Sequence, residues 1–464
     1  MNTPLPTLGE RLDRLPWRPF HTRITLVLGV GWLLDAFEVS LVGNVLGVLK
    51  RQWNVSDVQA SALVSVWLAG IMFGALLFGY LADRYGRRRL FLATLLLYAA
   101  ATVISALSPG YVFFLVSRFL TAVGIGAEYS AINAAIGELI PARVRGRATA
   151  LVMNFWPLGS IAAALASLFL INLLPPAVGW RLVFALGAIV AVFSLWARRN
   201  LPESPRWLRA RGRTDEAEAV LRQIEGRGAA AATPLRAPAT RGARREGFWR
   251  QLQELCVRHP WRLAFATLLD AAADTGYYGI FAFLPLIVLP QIHITDTQVP
   301  WFFLVGNVSA IAGGLLVVAL LDRAGRKWTV TTAYALAAAA MLVMGRATQA
   351  GNAVGVLVAF IGVNFFATMS WVSAYPTFSE IFPTRLRATG IGFAVGVGHV
   401  LAGIAPVTLI AVAHHVSVTA AFALLAGSFL LGVATMVPWI LYGPEGRGRA
   451  LEALAPREAA TRTG

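Results

Sequence analysis

The chain of 464 residues has a single cysteine, Cys256, so it has no internal disulfide framework. Its six histidines are scattered, only His414 and His415 being adjacent, and this leaves no metal-spaced His/Cys cluster. Nucleotide-cradling glycine loops and nucleophile motifs are missing too, so the chain does not read as an enzyme, and no cofactor or metal is expected. Charge is scarce, at 14% against about 25% in soluble domains. Lysine is nearly absent: Lys50 and Lys327 stand against 38 arginines, a bias that fits a GC-rich bacterial source. The first 20 residues carry no apolar core with a cleavage site, so no signal peptide is expected to be removed.

What is present is apolar. Hydrophobic residues make up 57% and mean hydropathy is +0.65. They fall in runs of about 20, long enough to cross a hydrocarbon core. There are twelve such runs, from 22–47 to 418–442, the fifth being 147–173. Backbone groups in lipid must be satisfied within the segment, so each run is expected to be a helix. The alternation of an outer-membrane barrel is absent. The formal charge of +17 does not indicate nucleic acid. With the N-terminus inside, 35 of the 40 Lys and Arg residues fall in cytoplasmic segments. This positive-inside bias predicts a multi-pass protein of the bacterial inner membrane with both termini cytoplasmic.

The sequence repeats itself at half-length. Gly79-Tyr-Leu-Ala-Asp83-Arg84-Tyr-Gly86-Arg87-Arg88 has a relative in Leu321-Asp322-Arg323-Ala-Gly325-Arg326-Lys327, an offset of 239 from Asp83 to Asp322. Glu138-Leu-Ile-Pro141-Ala-Arg143-Val-Arg145-Gly146 is echoed by Glu380-Ile-Phe-Pro383-Thr-Arg385-Leu-Arg387 at an offset of 242. The first offset maps Asp35 onto Asp274. The reading is a six-helix bundle over 1–200, a cytoplasmic linker over 201–259, a second bundle over 260–445 and a tail over 446–464. In the linker, Thr214 is the expected N-cap of a helix with Asp215, Glu216 and Glu218 in its first turn. Ala217, Val220, Leu221 and Ile224 then form its apolar face.

These motifs resemble the signature loops of the major facilitator superfamily. Pro202-Glu203-Ser204-Pro205-Arg206-Trp207-Leu208 and Arg118-Phe-Leu-Thr-Ala-Val-Gly-Ile-Gly126 resemble its sugar-porter branch. Within that branch, Gly31-Trp-Leu-Leu-Asp35-Ala-Phe-Glu38, Tyr277-Tyr278-Gly279 and Phe283-Leu284-Pro285 are similar to niacin and aromatic-acid proton symporters. The resemblance implies an all-α membrane fold of twelve helices in two pseudosymmetric bundles around a midplane site. It also implies proton-coupled symport of a small organic solute by alternating access. Three departures stand out: Val318 replaces the glycine that opens the second loop motif, the glutamine-rich seventh span of sugar porters is missing, and Asp270 and Asp274 are not part of the niacin-porter pattern.

Ionisable residues at membrane depth are costly and therefore functional candidates. By helical rise, Asp35 and Arg118 lie roughly 20 and 25 Å from the cytoplasmic side, at similar depth. An Asp that alternates between protonated and Arg-paired states would couple proton flow to transport; a static salt bridge is the structural alternative. Glu38 shares the Asp35 face at i, i+3, and Asp270 and Asp274 share one face of the seventh span at i, i+4. Counting Glu128, five acids face Arg118 alone, a formal −4. The resemblance favours an aromatic or N-heterocyclic carboxylate such as nicotinate or benzoate. The charge count favours an organic cation or zwitterion, and a sugar is the remaining option.

Asp274, Asp270, Tyr277, Tyr278, Asn154, Trp156, Asn364, Trp371, Tyr375 and His399 are the candidate solute contacts. Hydrogen bonding between helices and lipid anchoring are the structural alternatives. Asp83, Arg84, Arg87, Arg88, Glu138, Arg143, Asp322, Arg323, Arg326, Glu380 and Arg385 are candidate gate residues, meeting helix ends and acids on the cytoplasmic side. The expected partners are the solute, protons and the lipid bilayer, with the chain acting as a monomer. A transport-inactive membrane sensor on the same fold is the alternative of a different class.

Overall fold

The computed structural model describes residues 8–85, 87–198, 202–210, 212–226, 248–383 and 386–443. Within them the chain is all helical, with ten helices long and apolar enough to span a membrane and two shorter apolar stretches, Leu92–Ala106 and Pro176–Val192. In chain order the spanning helices are α1 (Pro19–Trp53), α2 (Asp57–Tyr85), α3 (Arg87–Ala106), α4 (Tyr111–Leu139), α5 (Ala142–Met153 continuing as Phe155–Leu173) and α6 (Pro176–Arg198). The second half holds α7 (Pro260–Phe283), α8 (Val299–Arg323), α9 (Arg326–Gln349), α10 (Ala353–Ile381), α11 (Arg387–His415) and α12 (Val418–Tyr442). The twelve expected runs each became a helix, because a backbone surrounded by apolar side chains satisfies its polar groups only internally.

The ends of these helices are chemically marked. Asn54 closes α1 in the left-handed region at φ 49°, and its backbone N–H reaches the carbonyl of Arg51. The side chains of Asn352 and Ser417 cap α10 and α12 by accepting from the N–H groups of Gly355 and Ala420. The α7 helix continues into a π-helical turn, Leu284–Val288, at Pro285, where the proline supplies no N–H to the α-helical ladder.

Packing is repeated in the two halves. In the first, α2 lies along α4 and α1 along α5; in the second, α8 lies along α10 and α7 along α11 and α12. The halves meet where α2 crosses α11 and α5 crosses α8. A matching pair of hydrogen bonds fixes the register of the repeat. The Tyr98 hydroxyl donates to the Leu34 carbonyl at 3.5 Å, and the Tyr334 hydroxyl to the Leu269 carbonyl at 2.7 Å. The offsets are 235 (Leu34 to Leu269) and 236 (Tyr98 to Tyr334), so Asp270, not Asp274, is the counterpart of Asp35. The loop motif gave a longer offset because the connections between helices differ in length between the halves.

The linker helix spans Thr214–Glu225 and buries Ala217, Leu221 and Ile224 as expected. Its N-cap is Arg213 rather than Thr214, and Arg213 instead grips Glu216 in a two-pronged contact at 2.6 Å. A short N-terminal helix, Leu8–Asp13, rests on it: Arg11 pairs with Glu225 at 2.6 Å and with Glu218 at 3.0 Å. Two further short helices, Pro205–Ala210 and Phe248–Arg258, complete the described part of this region.

Candidate functional site

The first charged centre is assembled by five helices of the N-terminal half. Glu38 on α1 and Arg118 on α4 are both fully buried and form an ion pair. Thr102 on α3 donates to the same Glu38 oxygen at 3.0 Å. The guanidinium lies over Trp67 of α2, 4.2 Å from the ring centre, and over Phe184 of α6, at 5.1 Å. Gly187 of α6 leaves the space that the Glu38 carboxylate fills, since a Cβ there would lie 2.9 Å from Oε2. Arginine suits this place because its flat cation stacks on aromatic faces while its edge grips a carboxylate.

The sequence placed Asp35 opposite Arg118; the acid that meets it is Glu38. Glu38 is three residues further along α1, about 4.5 Å of rise, and carries one more methylene. Asp35 is buried one turn away on the same helix, and Glu128 is buried on α4.

The second charged centre belongs to the C-terminal half. Nδ1 of His399 on α11 lies 3.0 Å from Asp274 and 3.9 Å from Asp270, both on α7, and 2.9 Å from the Val395 carbonyl. All three side chains are buried, and their polar atoms lie within 4.8 Å of one another. The close approach of α11 to α7 needs Gly398, where a Cβ would stand 2.4 Å from an Asp270 oxygen. The Tyr278 ring is 5.9 Å from the imidazole. Among the described residues neither aspartate is paired with Arg or Lys.

The halves also share an aromatic cluster. Trp32 of α1, Trp156 of α5 and Trp371 of α10 contact one another in all three pairings, with ring centres 5.8–6.1 Å apart. Tyr375 packs edge-on to Trp371, and Trp156 donates its indole N–H to the Tyr277 hydroxyl at 3.1 Å. Tyr277 in turn meets Tyr278 and Phe281. Five expected contact residues, Trp156, Trp371, Tyr375, Tyr277 and Tyr278, therefore converge. The sequence reading did not single out Trp32; only its place one turn before Asp35 marked it.

The expected asparagines lie at helix crossings. Asn154, at the break in α5, donates to the Ala150 carbonyl and lies against Gly314 of α8, where a Cβ would be 2.1 Å from its Oδ1. Asn364 donates to the Phe360 carbonyl and fills the space left by Gly306.

Of the expected gate residues, the side chains of Asp83, Arg84, Arg87, Arg88, Glu138, Arg143, Asp322 and Glu380, and all of Arg385, lie outside the described residues. Arg326 donates to the Leu321 carbonyl at 3.0 Å, and Arg323 is exposed at the end of α8. On the opposite face the halves are tied by charge. Arg51 at the end of α1 pairs with Asp296 in the loop before α8. Asp57 at the start of α2 meets Lys50 at 2.5 Å and His414 at 3.1 Å. His414 is in the last turn of α11. Burial pushes the Asp296 carboxyl above the usual carboxylate range, with Arg51 and Lys50 pulling it back.

Comparison with known proteins agrees with this geometry. Residues 34–455 match the family model described as sugar (and other) transporter. The chain is 31% identical to the niacin transporter of Acinetobacter baylyi, covering 96% of this chain and 99% of that one. It is 28% identical to the putative niacin/nicotinamide transporter of Bacillus subtilis, covering 92% and 96%. In fold it is similar to the partially occluded inward open conformation of the xylose transporter from E. coli, with a TM-score of 0.74 at 22% identity over 93% of this chain and 100% of that one.

Proposed function

Since the chain belongs to the sugar (and other) transporter family of the major facilitator superfamily, we propose that it is a proton symporter for a small aromatic carboxylate, with nicotinate first. The observation that carries this reading is the aromatic cluster shared by both halves, whose Trp32 stands on α1 six residues before Glu38 of the buried Glu38–Arg118 pair. Indole faces from α1, α5 and α10 suit a flat ring, and faces contributed by both halves part and close as the halves move.

Glu38, Arg118 and Asp35 carry the coupling. Protonation of Glu38 releases Arg118, whose charge becomes available to a carboxylate; loss of the proton restores the pair and expels the anion. Desolvation favours the neutral acid and the guanidinium favours its anion, so a modest rearrangement exchanges the winner. The basic residues around Asp83 and Asp322 hold the linker side closed, and the Arg51–Asp296 and Asp57–His414 contacts hold the other. The protein resides in the bacterial inner membrane with both termini in the cytoplasm.

Uptake into proteoliposomes under an imposed pH gradient tests the reading. Nicotinate and benzoate are expected to accumulate with the gradient, and Glu38→Gln is expected to abolish the gradient's effect while keeping nicotinate exchange. Accumulation of a permanent organic cation with exclusion of both carboxylates would overturn it, as would sugar uptake alone. A second reading, organic cation transport, is favoured by the excess of acids, because five buried carboxylates against one guanidinium disfavour an anion unless protons enter with it.

A further inference from the structure

The repeat puts an acid pair in each half, Asp35 and Glu38 on α1, Asp270 and Asp274 on α7. Their surroundings differ in one respect. Glu38 is held by a guanidinium that stays charged at any working pH. The α7 pair is faced by the imidazole of His399, and among the described residues it is paired with no Arg or Lys.

Asp270 is 1% exposed, and no N–H or O–H of the described residues donates to either of its oxygens. Its neighbour is the Asp274 carboxyl, and the polar atoms of the two, with His399, lie within 4.8 Å of one another. Two carboxylates so placed repel one another unless a proton lies between them. The His399 Nδ1 faces three acceptors, Val395 O, Asp274 and Asp270, an arrangement suited to a hydrogen on that nitrogen. Among the described residues the other titratable groups near the cluster are Tyr277 and Tyr278 on α7, Tyr334 on α9 and Tyr375 on α10. The Tyr334 hydroxyl is committed to the Leu269 carbonyl and does not reach the pair as a donor.

Resting on the proton-coupled reading above, we propose that Asp270, Asp274 and His399 form a second proton-carrying site. Each nicotinate then moves with two protons, one bound in each half. On the loading side one carboxylate of the pair takes a proton and the bond to oxygen forms; on the releasing side that bond breaks and the proton leaves to water. No other group is consumed. The cycle carries a net charge of +1, the sum of two protons and one nicotinate anion.

The experiment is the charge and proton count per nicotinate in proteoliposomes of the full chain. Wild type is expected to move two protons per nicotinate. Its accumulation rises about tenfold for each 59 mV of interior-negative potential, the factor for one transferred charge. Asp270→Asn places a permanent N–H donor beside Asp274 and is expected to move one proton per nicotinate, with no response to potential. Where Asp270→Asn fails to insert, His399→Gln is read instead, as a displaced pH profile of accumulation.

One proton per nicotinate in wild type and in Asp270→Asn overturns the second site and leaves the symport reading standing. Two protons in both overturns it as well, since Asp270 is then only a packing group. Saturable binding of Zn²⁺ or Mn²⁺ that Asp270→Asn abolishes, with transport depending on the metal, overturns it in favour of a metal site. Nicotinate moving with no proton dependence at all overturns the symport reading itself.

Discussion

Glu38 and Arg118 each depend on the other for solvation, because burial has removed water from both. Removing one partner leaves an uncompensated buried charge, so Glu38→Ala or Arg118→Ala is expected to cost about 3–5 kcal/mol. The double variant should recover part of that loss, and thermal unfolding in detergent across the four proteins measures the coupling. Arg118→Lys is expected to fail as a replacement, since an ammonium does not stack on Trp67 and Phe184 while gripping Glu38. At Asp296 the proton is held more tightly in the folded protein than in the unfolded chain. Stability therefore falls as pH rises through the window from the ordinary carboxylate value, about 3.9, to the raised one. Melting temperature against pH should show that fall in wild type and not in Asp296→Asn. From the sequence, Asp35, Glu38 and Arg118 stood out as rare charges in apolar runs. Helical spacing gave their shared face but not the side-chain reach that decides which acid takes the arginine.

The spanning helices were legible because a run of about 20 apolar residues has few alternatives to a membrane helix. The break at Asn154 was not. Residues 147–173 read as one span because the apolar pattern continues across the junction, whereas the regular helix is interrupted at Asn154, which lies against Gly314. The linker helix was visible from its apolar face, but its cap was misplaced because Arg213 and Glu216 satisfy each other beside the first turn. The short helix Leu8–Asp13 gave no comparable signal; what holds it is Arg11 against a distant part of the chain. Glycine decides how closely α2 and α4 approach. A Cβ at Gly126 would lie 1.9 Å from the Ile71 carbonyl, and one at Gly74 2.0 Å from the Val123 carbonyl. Both obstacles are backbone, so Gly126→Ala must part the helices and is expected to cost about 1–3 kcal/mol. Thermal unfolding measures it, and Gly110→Ala, in open space, serves as the comparison.

At the scale of the molecule, the two halves are joined by the α2–α11 and α5–α8 crossings and by ion pairs on the face opposite the linker. Arg51→Ala combined with Asp57→Ala is expected to favour separation of the halves on that face. Cys256 is the sole cysteine, so Cys256→Ser gives a background for paired labels, and a longer label distance in the double variant is the result sought. The half-length repeat announced this architecture, but loop motifs could not fix its register, because loops change length while the Tyr98–Leu34 and Tyr334–Leu269 contacts do not. The aromatic cluster was only partly legible: a tryptophan in an apolar run reads equally well as a lipid anchor, and pairwise meetings across the halves are not written in local spacing.

Trp32 and Trp371 lie nearly parallel, at 17° with centres 6.1 Å apart, yet belong to opposite halves. Chromophores so close share their excitation, so the protein carries its own optical gauge of whether its centre is assembled. Parting of the halves dims that exchange. Near-ultraviolet dichroism can thus follow the working cycle without any attached dye.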